Sequence, residues 1–178
     1  YYLMLRRVKA FFGDEELRAY LIIVLVSTGL ISLNTLYLYP GFSKSFEMAF
    51  FQVSNIITTT GFGYGDITNW PLFSQFILLF LMGIGGSAGS TAGGLKVIRS
   101  LILSKIAKNQ ILSILSPHRV LTLHVNKTVI DKDTQHKILK YFVIYAMILL
   151  SLIFIVSLDS NNFLVVTSAV FSLSLIHI

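Results

Sequence analysis

Residues 58–71 read TTTGFGYGDITNWP, and residues 83–99 read GIGGSAGSTAGGLKVIR. The first string closes an uncharged stretch, residues 48–65, that lies between two longer ones. Arg18 and Lys44 are separated by 25 uncharged residues, Asp66 and Lys96 by 29, and Lys140 and Asp159 by 18. An ionisable group in hydrocarbon costs several kcal/mol, and a spanning helix needs about 20 apolar residues. The gaps therefore predict three membrane helices, over residues 17–38, over 71–95 and beyond, and over 140–158. None has the early apolar run and small-residue cleavage site of a signal peptide.

Composition agrees with a bilayer protein. Of the 178 residues 54% are hydrophobic and only 12% charged, with mean hydropathy +0.77, about half the charge of a soluble domain. With no cysteine in the chain, disulfides, thiolate metal sites and cysteine nucleophiles are excluded. The net charge of +6 comes from two clusters. Arg6, Arg7, Lys9 and Arg18 precede the first span, nine further basic residues run from Lys96 to Lys140, and only Lys44 lies elsewhere. By the positive-inside rule both clusters face the cytoplasm, so two crossings separate them.

The stretch 48–65 then cannot cross as well; it must dip in and return. Its apolar part, residues 46–57, makes a helix of about 18 Å, roughly half a bilayer. The Thr/Gly run returns as extended chain. Unwound backbone at that depth is tolerated only where it is buried in protein or lines water. A side-chain-poor loop of this kind can turn several carbonyls toward one axis and replace the hydration shell of a monovalent cation. Gly61 and Gly63 permit the dihedrals required, and the C-terminal end of the preceding helix adds a negative dipole.

These residues carry a family resemblance. Thr59-Thr60-Gly61-Phe62-Gly63 is similar to the Thr-x-Gly-Tyr-Gly filter of potassium channels, with Gly63-Tyr64-Gly65-Asp66 as a second possible register. Together with residues 83–99, the string resembles the third repeat of the Trk/Ktr superfamily of bacterial potassium-transport subunits, closest to the TrkH branch. The resemblance implies an all-α membrane protein in which four helix, re-entrant pore loop, helix repeats surround one pore. It places the filter at residues 58–63, with Gly61 as the filter glycine, Thr59, Thr60, Phe62 and Gly63 beside it, and K+ held at the carbonyls of Thr60 and Gly61. Asp66 falls at the outer mouth, although a carboxylate there also reads as a solvated cap. No covalent chemistry is expected, and K+ is the transported ion rather than a cofactor.

Six glycines fall within residues 83–94, each costing a helix up to about 1 kcal/mol against alanine, so the second helix should break there. The resemblance implies that Gly85, Gly86, Ser87, Gly89, Ser90, Thr91, Gly93, Gly94 and Lys96 form an intramembrane gate loop beneath the filter; close packing of helices through small residues is the alternative. Lys96 would repel a cation if it faced the axis. It either faces away, snorkels to the interface or holds the loop closed, and Arg99 is expected at the headgroups. Trp70 reads as an interfacial anchor and Pro71 as the opening of the second helix. A dinucleotide fingerprint at 83–88 is rejected, because residues 101–115 supply no acidic partner, and 93–96 lacks a P-loop ending.

The expected organisation is a cytoplasmic linker over 1–16, one complete repeat over 17–99, an extension and connector over 100–139, and the start of a further repeat over 140–178. The connector holds a short hairpin over 120–129, Asp131 and Asp133 as caps, and His118, His124 and His136 without metal-ligand spacing. A second pore helix is expected from Phe163. The last residues, 175–178, depart from the family pattern and read as a truncation. The resemblance further implies a multi-pass protein of the bacterial inner membrane, a homodimer of the full-length subunit, and a TrkA- or KtrA-like nucleotide-binding regulatory protein on the basic cytoplasmic face. That face could equally meet anionic lipid, and no nucleic acid is expected. The alternatives weighed are a subunit of a tetrameric two-helix potassium channel and a membrane scaffold without transport.

Overall fold

The computed structural model describes residues 13–62, 65, 67, 69–116, 122–126, 128–158 and 163–176. Among the described residues six α-helices carry the fold: α1 Glu15–Asn34, α2 Phe42–Ile57, α3 Leu72–Ile84, α4 Val97–Leu115, α5 Lys132–Ser157 and α6 Phe163–Ile176. A 3-10 turn, Leu36–Leu38, follows α1, and a two-stranded antiparallel ribbon, β1 His124–Val125 and β2 Thr128–Val129, lies between α4 and α5. Its register pairs His124 with Val129 and Val125 with Thr128.

Local sequence sets where these elements start and stop. Asp14 caps α1 by accepting the Glu16 N–H at 2.9 Å, and Glu15 and Glu16 complement the helix dipole. Pro40 and Gly41, the latter at φ +98°, turn the chain so that α2 folds back along α1. Hydroxyls stitch this corner. Ser45 Oγ donates to Ser32 O at 2.7 Å, and Thr35 Oγ1 lies 2.9 Å from Ser45 Oγ, so the buried hydroxyls of Ser45 and Thr35 are both partnered. On α2, Ser45, Met48, Ala49, Gln52, Val53 and Ile57 are buried at helical spacing, while Phe42, Phe46 and Phe50 form an exposed aromatic stripe. The first core gathers Val24 and Ile31 of α1, Val53 and Ile57 of α2, Leu78 and Leu81 of α3, and Trp70. A smaller core joins Ile102 and Ile106 of α4 to Leu123 and Val125 of the ribbon.

Several expectations need correction. The second span, expected over 71–95 with a break within 83–94, is helical from Leu72 to Ile84, so the helix ends inside the glycine cluster. Its 13 residues extend about 20 Å, short of a bilayer, because the glycines that follow leave the helical region. Two described helices, α1 and α5, are long and apolar enough to cross a membrane. The helix expected to begin at Phe46 starts one turn earlier at Phe42, since Gly41 supplies the break. Trp70 is 4% exposed and donates its indole N–H to Tyr39 Oη at 3.0 Å, so it is a core side chain tying the loop before α3 to the α1–α2 turn. Of the hairpin expected over 120–129, residues 124–125 and 128–129 pair as the ribbon, and residues 120, 121 and 127 lie outside the described residues. Asp131 caps α5 by accepting the Asp133 N–H at 3.0 Å, whereas Asp133 lies within the first turn. Helix α5 thus already includes residues assigned to the connector. Helix α6 starts at Phe163; the preceding polar turn, residues 159–162, lies outside the described residues.

Candidate functional site

The site is built from two non-helical segments that meet at the C-terminal end of α2. The first follows Ile57. Thr58 closes the helix, its N–H donating to Ser54 O at 3.1 Å and its hydroxyl to the same oxygen at 2.6 Å. Thr59 then takes φ +55° and Gly61 φ +77°, which reverses the chain direction. The left-handed region is ordinary for glycine and costly for a β-branched threonine. Thr59 N–H donates to Ile56 O and Thr60 N–H to Asn55 O, each at 3.0 Å, and the Thr58 and Thr60 hydroxyls meet. The side chain of Asn55 reaches past both. Its Oδ1 accepts the Phe62 N–H at 2.8 Å, and its Nδ2 donates to Phe62 O at 2.6 Å. Among the described residues, no hydrogen bond ends on the carbonyls of Thr60 or Gly61. A Cβ at Gly61 would meet nothing within 4 Å, and the Phe62 side chain is 68% exposed.

The second segment joins α3 to α4. Gly85, at φ +71°, ends α3, and Lys96, also at φ +71°, precedes α4. Between them the chain forms a closed loop whose neck is laced by main-chain bonds. Leu95 N–H donates to Gly83 O at 3.1 Å, Lys96 N–H to Ile84 O at 2.9 Å, and Val97 N–H to Gly86 O at 3.0 Å. The carbonyls left over at the end of α3 and the N–H groups left over at the start of α4 thus satisfy one another. The neck is buried while Ala88, Gly89, Ser90 and Thr91 at the tip are exposed. Space at the neck admits no side chain. A Cβ on Gly85 would stand 1.9 Å from Gly93 O, and one on Gly86 2.8 Å from Ala92 Cβ and 3.6 Å from Ile57 O. Through Gly86 the loop thus lies against the last carbonyl of α2, just before the Thr run.

Charged groups hold the tip. Lys96 Nζ donates to the carbonyls of Ser90 and Ala92, and Glu16 of α1 accepts the Ala88 N–H. Lys96 therefore closes the loop, one of the three placements open to it from sequence. Arg99 stacks over the Tyr141 ring at 4.4 Å from its centroid, a cation–π contact joining α4 to α5. Next to Glu16, Glu15 pairs with Lys105, whose ammonium also donates to His124 O at 2.7 Å. The Glu15 N–H donates to Asn126 Oδ1 at 2.8 Å. The start of α1 therefore touches the loop tip, α4 and the ribbon at once. A mostly apolar cavity of about 1060 Å³, lined by Ile23, Phe80, Leu101, Phe142, Leu149 and Phe171 among others, has no charged side chain among the described residues on its wall.

Of the residues singled out from sequence, Thr59, Thr60, Gly61 and Phe62 come together at the end of α2. Gly85, Gly86, Ser87, Gly89, Ser90, Thr91, Gly93, Gly94 and Lys96 share the loop beside them. Gly63 and Asp66 lie outside the described residues, as does His118. Asn55 and Glu16 went unnoticed: a single asparagine near a helix end and a glutamate in a first turn carry no pattern that marks them.

The profile of the TrkH family, described as cation transport protein, matches residues 5–173. The chain is 31% identical over 175 residues to the Trk system potassium uptake protein TrkH of Escherichia coli K12, and 30% identical over 172 residues to its counterpart in Salmonella typhimurium. Each alignment covers 95% of this chain and 36% of the relative. The crystal structure of the potassium transporter TrkH from Vibrio parahaemolyticus superposes with a TM-score of 0.84 at 30% identity, over 92% of this chain and 36% of that one. The chain thus spans a little over a third of the length of these relatives.

Proposed function

The chain belongs to the TrkH family of cation transport proteins, and from that premise we propose that it forms one pore-lining portion of a bacterial inner-membrane potassium uptake protein. In this reading residues 58–63 are the re-entrant filter segment and residues 83–94 the gate beneath it. The observation that carries the reading is the junction at Ile57. Main chain leaves α2 with the Thr60 and Gly61 carbonyls unclaimed among the described residues, at the negative end of a helix dipole, and the glycine-necked loop abuts that same end. A dehydrated K+ is stabilised there by carbonyl oxygens in place of water, and passes by electrodiffusion with no bond made or broken. Asp66 concentrates cations at the outer mouth. The loop, closed by Lys96 and Glu16, blocks the path below. One such segment supplies one wall of a pore, and the remaining walls come from the rest of a longer subunit that pairs as a dimer.

On the opposite side, α4 and the ribbon form the surface for a cytosolic nucleotide-binding regulatory protein, and the exposed apolar face of α5 meets lipid. Gly61→Ser in the full-length subunit containing this segment tests the filter assignment. Uptake of K+ and Na+ is measured in cells lacking other potassium uptake systems. A reduced K+ preference is expected; unchanged selectivity would remove the assignment.

A further inference from the structure

We propose that Asn55 is the positioning residue of the filter: its amide clamps the main-chain N–H and C=O of Phe62 and thereby fixes which carbonyls are offered to the ion. The inference rests on the reading of residues 58–63 as the filter. Three bonds from the return chain end on this one residue. Thr60 N–H donates to its main-chain oxygen at 3.0 Å, Phe62 N–H donates to its Oδ1 at 2.8 Å, and its Nδ2 donates to Phe62 O at 2.6 Å. Donor and acceptor of the side-chain amide face the main-chain acceptor and donor of one residue, Phe62. Two consequences follow. The Phe62 carbonyl, engaged by Asn55, is withdrawn from ion coordination. The intervening Gly61, at φ +77° with open space at its Cβ position, is suspended between two fixed points, so its own carbonyl and that of Thr60 keep one orientation while, among the described residues, no hydrogen bond ends on either. The helix end, through Asn55, acts as the template on which the filter strand is laid.

Asn55→Asp tests this with the least change of shape. It keeps the acceptor for Phe62 N–H but sets a carboxylate oxygen against Phe62 O, so the clamp becomes repulsive on one side. Asn55→Leu removes both bonds, and Asn55→Gln keeps both groups one methylene further out. In the full-length subunit, with membrane abundance measured by immunoblot, the ratio of K+ to Na+ uptake is the readout. A merely structural residue would lower total uptake with abundance and leave this ratio alone. Asn55→Asp and Asn55→Leu are expected to lower the ratio by about tenfold, with Asn55→Gln in between. Should Asn55→Leu fail to accumulate, the isosteric Asn55→Asp decides alone. If Gly61→Ser changes the ratio and Asn55→Asp does not, the clamp is refuted and the filter stands. If neither changes it, the filter assignment falls and the clamp with it.

Discussion

Gly85 and Gly89 both take positive φ, +71° and +81°, yet their surroundings differ. At Gly85 a Cβ would lie 1.9 Å from Gly93 O, whereas at Gly89 it would meet nothing within 4 Å. The two positions separate backbone strain from steric exclusion. Gly89→Ala should cost only the left-handed conformation, about 1 kcal/mol. Gly85→Ala cannot be placed without parting the neck, so it loses the main-chain bonds of Leu95 and Lys96 as well and should cost about 3 kcal/mol or more. Thermal unfolding of the full-length subunit in detergent checks this: a clear fall in midpoint for Gly85→Ala and a small one for Gly89→Ala. Equal midpoints would mean that the neck is not closed as described. The glycines were legible as helix breakers from their density alone. That two of them serve a neck rather than a tip depends on which carbonyl comes back to meet them, and chain order does not encode it.

At the level of elements, the helix-loop-helix order was readable because uncharged runs and glycine clusters are additive properties of a window. The ends of elements were less so. Helix α2 gained a turn at Gly41, and within the span expected over 71–95 the break expected in the glycine cluster leaves α3 13 residues long. Trp70 was misread because an aromatic next to a proline looks interfacial until a partner such as Tyr39 is known. Lys96 and Glu16 belong to this scale too, since Lys96 bonds the carbonyls of Ser90 and Ala92 across the 85–96 loop and Glu16 reaches it from α1. Hydrogen bonds to charged groups contribute about 1.5–3 kcal/mol, enough to shift a closed loop toward open roughly tenfold or more. Lys96→Met should therefore raise passive K+ leak in the full-length subunit, measured as efflux from loaded proteoliposomes. Removal of residues 87–92 should raise it further. A leak unchanged by both would mean that the small residues serve helix packing alone.

For the whole molecule, the basic clusters decide which side is which, and that inference is testable without reference to any pore. The chain holds no cysteine, so a single introduced one reports cleanly for this segment. Lys44, whose ammonium pairs with Glu47 at 3.0 Å on an exposed surface, is expected outside the cell, and Lys108 on α4 inside. An impermeant maleimide added to intact cells should label Lys44→Cys and spare Lys108→Cys. Labelling of both, or of Lys108→Cys alone, would overturn the re-entrant reading of α2 and the loop after it. The same topology places the ribbon and α4 beside the start of α1, which bonds to the loop tip. Displacement of the ribbon would then be transmitted to Ala88 through Asn126, Glu15 and Glu16. Asn126→Ala should accordingly loosen the coupling and raise the same proteoliposome leak less than Lys96→Met does; an unaltered leak would show that the ribbon acts independently of the loop.

The central claim is that unwound main chain at Thr60 and Gly61 holds a desolvated alkali ion. Crystals of the full-length subunit grown with Rb+ or Tl+ in place of K+ test it most directly, through anomalous scattering. The account predicts a peak against the Thr60 and Gly61 carbonyls that disappears in Gly61→Ser. A peak elsewhere in the pore with none at these carbonyls, under ion concentrations that support transport, would contradict it.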